Sequence, residues 1–438
     1  MNYKKIFLAA MGFILIFTNP SEIYARFSTP VTTDMFPHEH QDSLLTVEAI
    51  NNFPEGITFV ISSPDLVSFS DVKINYKVNG QSNKTGYRTS PVTDQGPLLL
   101  SINSQRAGTY IPPGTTISYF AEAFGDDSIL TRTKPKEILY LDPNFQWQKL
   151  STSMVNIYYH DTSSASNAET TLSIAESTAE FALPMFNHSP KQKFNLVLYS
   201  NYSDMEKILP FRSATTAENL MTQGMAFTEE RTAVIYAGSR SLKSTTSHEF
   251  MHLLLHDAVG RFHTRLPAWL DEGLAEYGNQ SPANDYQSAL NQAISSKTDK
   301  HIKFLNTFSG SPADIIAAYG KGSSVVSYLA SEYGRNSFAE LIDNFKMSLS
   351  NDQAFQLTYG ITLDELEIEW KKSLGEEPDS NAEPTVPQHS PAGNQPSDTD
   401  SSSRAIGSCQ SSGSDTPLDL AAILLVIAPF CMFGRKSH

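Results

Sequence analysis

Cysteine is almost missing from this chain: two occur among 438 residues, Cys409 and Cys431, both close to the C-terminus. The body therefore has no disulfide framework and no thiol chemistry, and any metal must be held by His, Asp or Glu. Positive charge is also scarce. The 32 Lys and Arg face 47 Asp and Glu, and the formal net charge of −15 argues against binding nucleic acid through a basic surface. No Gly-x-Ser-x-Gly nucleophile elbow occurs. The segment Gly320-Lys321-Gly322-Ser323 suggests a phosphate loop but fails as one. Ile315 stands where the first glycine belongs, and Gly322 where Ser or Thr must follow the lysine.

What is present is His248-Glu249-Phe250-Met251-His252, inside an apolar run with helix-forming neighbours. On a helix, positions i and i+4 share one face, so both imidazoles can point at one metal ion. Glu249 projects beside them, where its carboxylate can take a proton from a water that the metal activates. Zinc binds imidazole and carboxylate tetrahedrally, and a catalytic site needs three protein ligands with one position open. The third ligand is read at Glu272, in Pro267-Ala268-Trp269-Leu270-Asp271-Glu272-Gly273-Leu274-Ala275-Glu276-Tyr277. Proline at its start and helical apolar spacing predict a second helix there. Twenty positions from His252 leave room for a turn near Gly260 and a helix that crosses back. One zinc ion per chain is expected, and no other cofactor.

His-Glu-x-x-His followed by Trp-Leu-x-Glu-Gly-x-Ala resembles the gluzincin metallopeptidases, the peptidase MA-like group related to aminopeptidase N and thermolysin. The resemblance implies that His248, His252 and Glu272 hold zinc and that Glu249 is the general base. Ala318-Tyr319-Gly320-Lys321-Gly322 is similar to the family's Tyr-x-Lys-Gly helix, which implies Tyr319 as a donor to the oxyanion. A carboxylate at the offset of Glu276 orients the first histidine in thermolysin-like enzymes, a supporting role that metal-bound histidines require on physical grounds too. Asp271 is a second candidate for such support. Two departures stand out. The spacing to Glu272 is one residue longer than in the aminopeptidase N pattern. Gly224-Met225-Ala226-Phe227 is only a loose counterpart of Gly-x-Met-Glu-Asn, without the Glu that grips a free amino terminus.

The overall expectation is an α+β chain. Met1 to Ala25 reads as a signal peptide, with Lys4 and Lys5 ahead of an apolar stretch from Ile6 to Phe17. Residues 42–144 read as a β-sandwich of immunoglobulin or fibronectin type, from period-two runs such as Asp71 to Val78 and turns at Asn79-Gly80 and Pro112-Pro113-Gly114. Residues 145–375 read as the zincin catalytic domain, with strands at 155–159, 194–199 and 232–236. The gluzincin resemblance implies that a substrate peptide adds to one sheet edge, at 224–227 or 232–236. His256, one turn beyond His252, is read as a packed helix residue. Residues 376–417, rich in Pro, Ser, Asp, Asn and Gln, read as a disordered linker. Residues 418–438 read as a hydrophobic tail, either a membrane anchor or a sorting signal trimmed by a processing protease, with Cys409 as a possible modification site.

The function expected is an exported, cell-surface zinc metallopeptidase acting on peptides or proteins. Two alternatives stand beside it: a catalytically silent adhesion or scaffold protein, and a zinc hydrolase of a small amide or ester.

Overall fold

The computed structural model describes residues 45–376, apart from 81–83, 105–108, 126–127, 162–163, 211–221 and 283. The expected leader and tail, and nearly all of the expected linker, lie outside the described residues. Among those described, no helix is long and apolar enough to cross a membrane.

Two antiparallel sheets come first. One has the order β1-β2-β5, formed by β1 (Thr46–Asn52), β2 (Gly56–Ser62) and β5 (Leu98–Asn103). The other runs β4-β3-β6-β7, formed by β3 (Asp71–Val78), β4 (Thr85–Pro91), β6 (Thr115–Gly125) and β7 (Ser128–Arg132). A further strand, β8 (Lys136–Tyr140), pairs with the first half of β6. Alternation builds the core between the two sheets. Ile57, Phe59 and Ile61 point inward from β2, and Val72 and Ile74 from β3, all essentially without solvent contact.

A third sheet has the order β12-β13-β11-β10-β9. Its strands are β9 (Trp147–Ser151), β10 (Val155–His160), β11 (Phe194–Tyr199), β12 (Gly224–Phe227) and β13 (Thr232–Tyr236). β10, β11 and β13 run parallel, and the two edge strands are antiparallel to their neighbours. Both faces of the parallel part are covered, so its strands are apolar on both sides. Val155, Ile157, Leu196, Leu198, Ala233 and Ile235 face a helical layer. The alternate residues Tyr158, Val197, Tyr199 and Val234 join the core of the N-terminal sheets. The β module and the helical module thus share this sheet as a common floor.

The helical layer opens with α1 (Ala165–Phe186), which connects β10 to β11, and not with the short α2 (Tyr202–Ile208), whose Met205 and Ile208 join the core of the N-terminal sheets. It continues with α3 (Leu242–Val259), α4 (Ala268–Tyr277), α5 (Asn284–Ser295) and α6 (Pro312–Glu332). Three further helices, α7 (Ser337–Lys346), α8 (Asn351–Tyr359) and α9 (Leu363–Ser373), close the described chain. α3 is buried on nearly every side from Thr245 to His256, so its polar side chains must find partners inside the protein. It ends at Gly260, whose φ of +69° suits glycine, and a 3-10 turn over Gly260–Arg265 leads into α4. α6 starts at a capping box, with Ser311 and Asp314 each satisfying the other's backbone amide, and with Pro312 in its first turn. α4 and α6 approach through glycines: a Cβ on Gly273 would lie 2.5 Å from the carbonyl oxygen of Gly322. From 312 to 373 the chain forms four helices, the first opening at that cap.

Candidate metal centre

His248 and His252 lie one turn apart on α3, and Glu272 reaches them from α4. Their inward atoms converge. His248 Nε2 is 3.1 Å from His252 Nε2 and 3.2 Å from Glu272 Oε2, and His252 Nε2 is 3.3 Å from Glu272 Oε2. Ligand atoms at tetrahedral positions about 2.0–2.1 Å from one zinc ion lie about 3.3–3.4 Å apart, so this triangle has the dimensions of a zinc-binding face. All three side chains are buried.

The outer ring nitrogens are held by carboxylates. His248 Nδ1 is 2.5 Å from Glu276 Oε1, and His252 Nδ1 is 2.8 Å from Asp271 Oδ1. With Nδ1–H donating outward, each Nε2 lone pair faces the centre, which is the tautomer that a metal requires. Glu276 is fixed in turn by Asn279, whose side-chain amide donates to its other oxygen at 3.2 Å. Asp271 has a second partner: its Oδ2 lies 2.8 Å from Nε2 of His256, and His256 Nδ1 lies 2.8 Å from the hydroxyl of Thr228. His256 is thus more than the packed helix residue expected of it.

Charge is concentrated here. Burial alone would lower both histidines, but the Glu276 and Glu272 carboxylates lift His248 to about 9, and Asp271 and Glu272 hold His252 well above its usual value. Burial would raise Glu272 and Asp271, yet the neighbouring imidazoles outweigh it and keep both carboxyls below their ordinary range. This donor set favours positive charge at its centre. A divalent cation can supply that charge in place of protons.

Glu249 differs from the other carboxylates. Burial pushes it up to about 7, against the pull of His248 and His252. Neither of its oxygens makes a hydrogen bond of ordinary geometry; the Ala226 backbone is near enough to favour its charge but not to satisfy it. Gly224 makes room for it, since a Cβ there would lie 2.8 Å from Oε1. A fully buried carboxylate without a partner is costly. Beside a three-ligand triangle it fits a site completed by a metal and a water.

Tyr319, on α6, is buried, and its ring stacks on Tyr286 of α5 at 5.3 Å and 15° between planes. Tyr286 carried no motif and escaped the sequence reading. Burial raises its hydroxyl well above the usual range, and the carboxylates of Glu276, Glu272 and Glu249 all act on it. The two phenols thus form one aromatic wall, and Tyr286 brings that wall within electrostatic reach of the centre. Lys321, next but one to Tyr319, is also fully buried. Its Nζ donates to Glu367 Oε1 at 2.6 Å, to the Lys300 carbonyl at 2.6 Å and to Asp299 Oδ2 at 3.1 Å.

Among solved structures, similarity is partial. A polysaccharide deacetylase from Bacillus cereus is 10% identical at a TM-score of 0.19, covering 38% of this chain and 55% of that one. Yeast LTA4 hydrolase in complex with bestatin is 12% identical at 0.33, covering 79% and 69%. Legionella pneumophila aminopeptidase A is 10% identical at 0.30, covering 72% and 47%. This chain spans little more than half the length of the deacetylase and less than half that of the aminopeptidase. No curated protein matches it in sequence. Residues 186–376, which contain α3, α4 and α6, match the Peptidase MA superfamily. Through that segment the chain is related to the gluzincin-type metallopeptidases.

Proposed function

We propose that this chain is a zinc-dependent metallopeptidase that hydrolyses peptide bonds in a peptide or protein bound along β12. The observation that carries the reading is the convergence of His248 Nε2, His252 Nε2 and Glu272 Oε2 within 3.1–3.3 Å of one another, beside a buried carboxylate that lacks a partner.

His248, His252 and Glu272 would hold one zinc ion, with Glu276 and Asp271 fixing the imidazole rings. Zinc, when bound, would polarise the scissile carbonyl and bring the pKa of a water toward neutrality. Glu249 takes the proton from that water and passes it to the departing amine. Tyr319 donates its phenol proton in a hydrogen bond to the developing oxyanion.

β12 supplies the binding edge. The Tyr236 amide donates to the carbonyl of Gln223 at 2.8 Å, which sets the alternation of the antiparallel pair. Met225 and Phe227 then direct their amides toward β13, while those of Gly224 and Ala226 face outward. No strand covers that outer edge among the described residues, so an extended substrate can pair with it. The organisation proposed is a leader over 1–25, an immunoglobulin- or fibronectin-like module over 42–144, the catalytic module over 145–375, a linker over 376–417 and an apolar tail over 418–438. That layout would place the enzyme outside the cell, anchored or sorted by its tail.

The test is to measure zinc per chain on the purified protein, then assay a peptide library with and without chelator. Cleavage that is lost with chelator, restored by zinc and abolished in Glu249→Gln is expected. Cleavage indifferent to both chelator and Glu249→Gln would sink the reading.

A further inference from the structure

The hairpin that carries β12 is gripped from outside the helical layer. Its turn runs from Thr228 to Arg231, closed by the Arg231 amide donating to the Thr228 carbonyl at 3.2 Å. Lys84 of the β module places its Nζ 2.5 Å from Glu229 Oε2 and 3.2 Å from Glu230 Oε1. Gly80, beside it, packs so tightly that a Cβ would lie 2.0 Å from the Glu229 carbonyl oxygen. Next to the turn, the Phe227–Thr232 pair is held as well: the Thr232 hydroxyl donates to the Pro113 carbonyl at 3.1 Å, and Tyr110 packs its ring 5.4 Å from that of Phe227. The same turn is tied inward: Thr228 meets His256, which meets Asp271, which meets His252.

We propose that the N-terminal β module is the buttress of the substrate-pairing edge, with Lys84 and Gly80 as positioning residues that fix the Thr228–Arg231 turn and thereby the alignment of β12 with the metal centre. A four-residue edge strand with one neighbour cannot define its own position to the accuracy that catalysis demands; ordered supports must do so. The β module supplies those supports at the turn and at the Phe227–Thr232 pair beside it, and the His256–Asp271 pair supplies the third. The identity of what pairs with β12 rests on the metallopeptidase reading; the buttress itself does not.

Hydrogen–deuterium exchange of the full chain tests this without relying on activity. Lys84 is largely exposed, so Lys84→Met should fold. Its removal should speed exchange at the Met225 and Phe227 amides roughly fivefold, the size of one modest ion pair, while zinc per chain stays the same. Lys84→Arg should restore protection. Gly80→Ala, which forces the turn away from a backbone contact, should speed the same amides more than tenfold. On peptide substrates both loosening variants should raise KM with kcat within about twofold, because Glu249 and the three ligands lie on helices that neither residue touches. Unchanged exchange at Met225 and Phe227 in both variants would overturn the proposal. If exchange responds but the wild type cleaves no peptide, the buttress stands and the enzymatic reading falls.

Discussion

Asp271 holds Nδ1 of His252 at 2.8 Å, while its chain neighbour Glu272 lies 3.3 Å from Nε2 of the same ring. Adjacent residues on one helix therefore address opposite ends of one imidazole. One fixes the tautomer, and the other faces the nitrogen that would bind a metal. The arrangement is possible because α4 crosses α3 closely, and Gly273, next to Glu272, allows α6 to press on α4 from behind.

Replacing Asp271 with Asn keeps the shape but removes the charge that both His252 and His256 contact. Zinc affinity should fall about 10- to 100-fold, the usual effect of losing such a support. Competition with a chromogenic chelator would measure it, and circular dichroism would show that the fold is retained. An unchanged affinity would mean that His252 is oriented by packing alone.

Glu249→Gln should separate activity from stability. Turnover should fall by a factor of about 10²–10⁴ with the loss of the base, while zinc per chain stays at the wild-type level. In metal-free protein, the thermal midpoint should stay level or rise, because a buried carboxylate without a hydrogen-bond partner is removed. A clear fall in midpoint would show that Glu249 has a stabilising partner.

Much of this centre was legible because helical spacing is a local property. His248 and His252 share a face by arithmetic, and Glu272 follows from the coordination number of zinc and one turn of chain. The supports of Asp271 and Glu276 were partly legible, as carboxylates next to or one turn from a ligand. His256, Thr228 and Tyr286 were not, since each reaches the site through tertiary contacts that leave no periodic trace. The strands show the same division. β3 alternates strongly and was read from its sequence, whereas β4, β7, β8 and β9 are largely exposed or short and exist because neighbours pair with them. Lys321 is the sharpest case. In sequence it was a failed phosphate loop; in the fold it is a buried cation between two carboxylates.

Gly273→Ala tests how α4 is set. The new methyl would meet the Gly322 carbonyl, a backbone atom that cannot swing away. A loss of about 1–3 kcal/mol in unfolding free energy is expected, as for other overpacked contacts, together with weaker zinc binding as Glu272 moves. Denaturant titration and chelator competition on one sample would show both. A loss of stability with unchanged zinc affinity would mean that Glu272 is positioned independently of the α4–α6 contact.

Lys321 makes a prediction about acid. Burial would raise the carboxyl of Asp299, but Lys321 and Lys371 outweigh it and hold it below its ordinary value of 3.8. A carboxyl whose folded value is depressed contributes stability that is complete above its unfolded value and is lost as pH falls through the folded one. Wild-type protein should therefore lose stability below about pH 4 partly through Asp299. Lys321→Met removes the buried cation and strands Asp299 and Glu367 with only the half-exposed Lys371 between them. Breaking a buried pair from one side costs about 3–5 kcal/mol, so a loss of that order is expected at pH 7. The acid-dependent part should shrink in the variant, because the folded value of Asp299 moves back toward the unfolded one. Urea unfolding of both proteins between pH 7 and pH 3 decides the matter. A variant that loses less than about 1 kcal/mol at pH 7 and keeps the wild-type acid slope would show that α6 is held by its glycine contacts and not by this lysine.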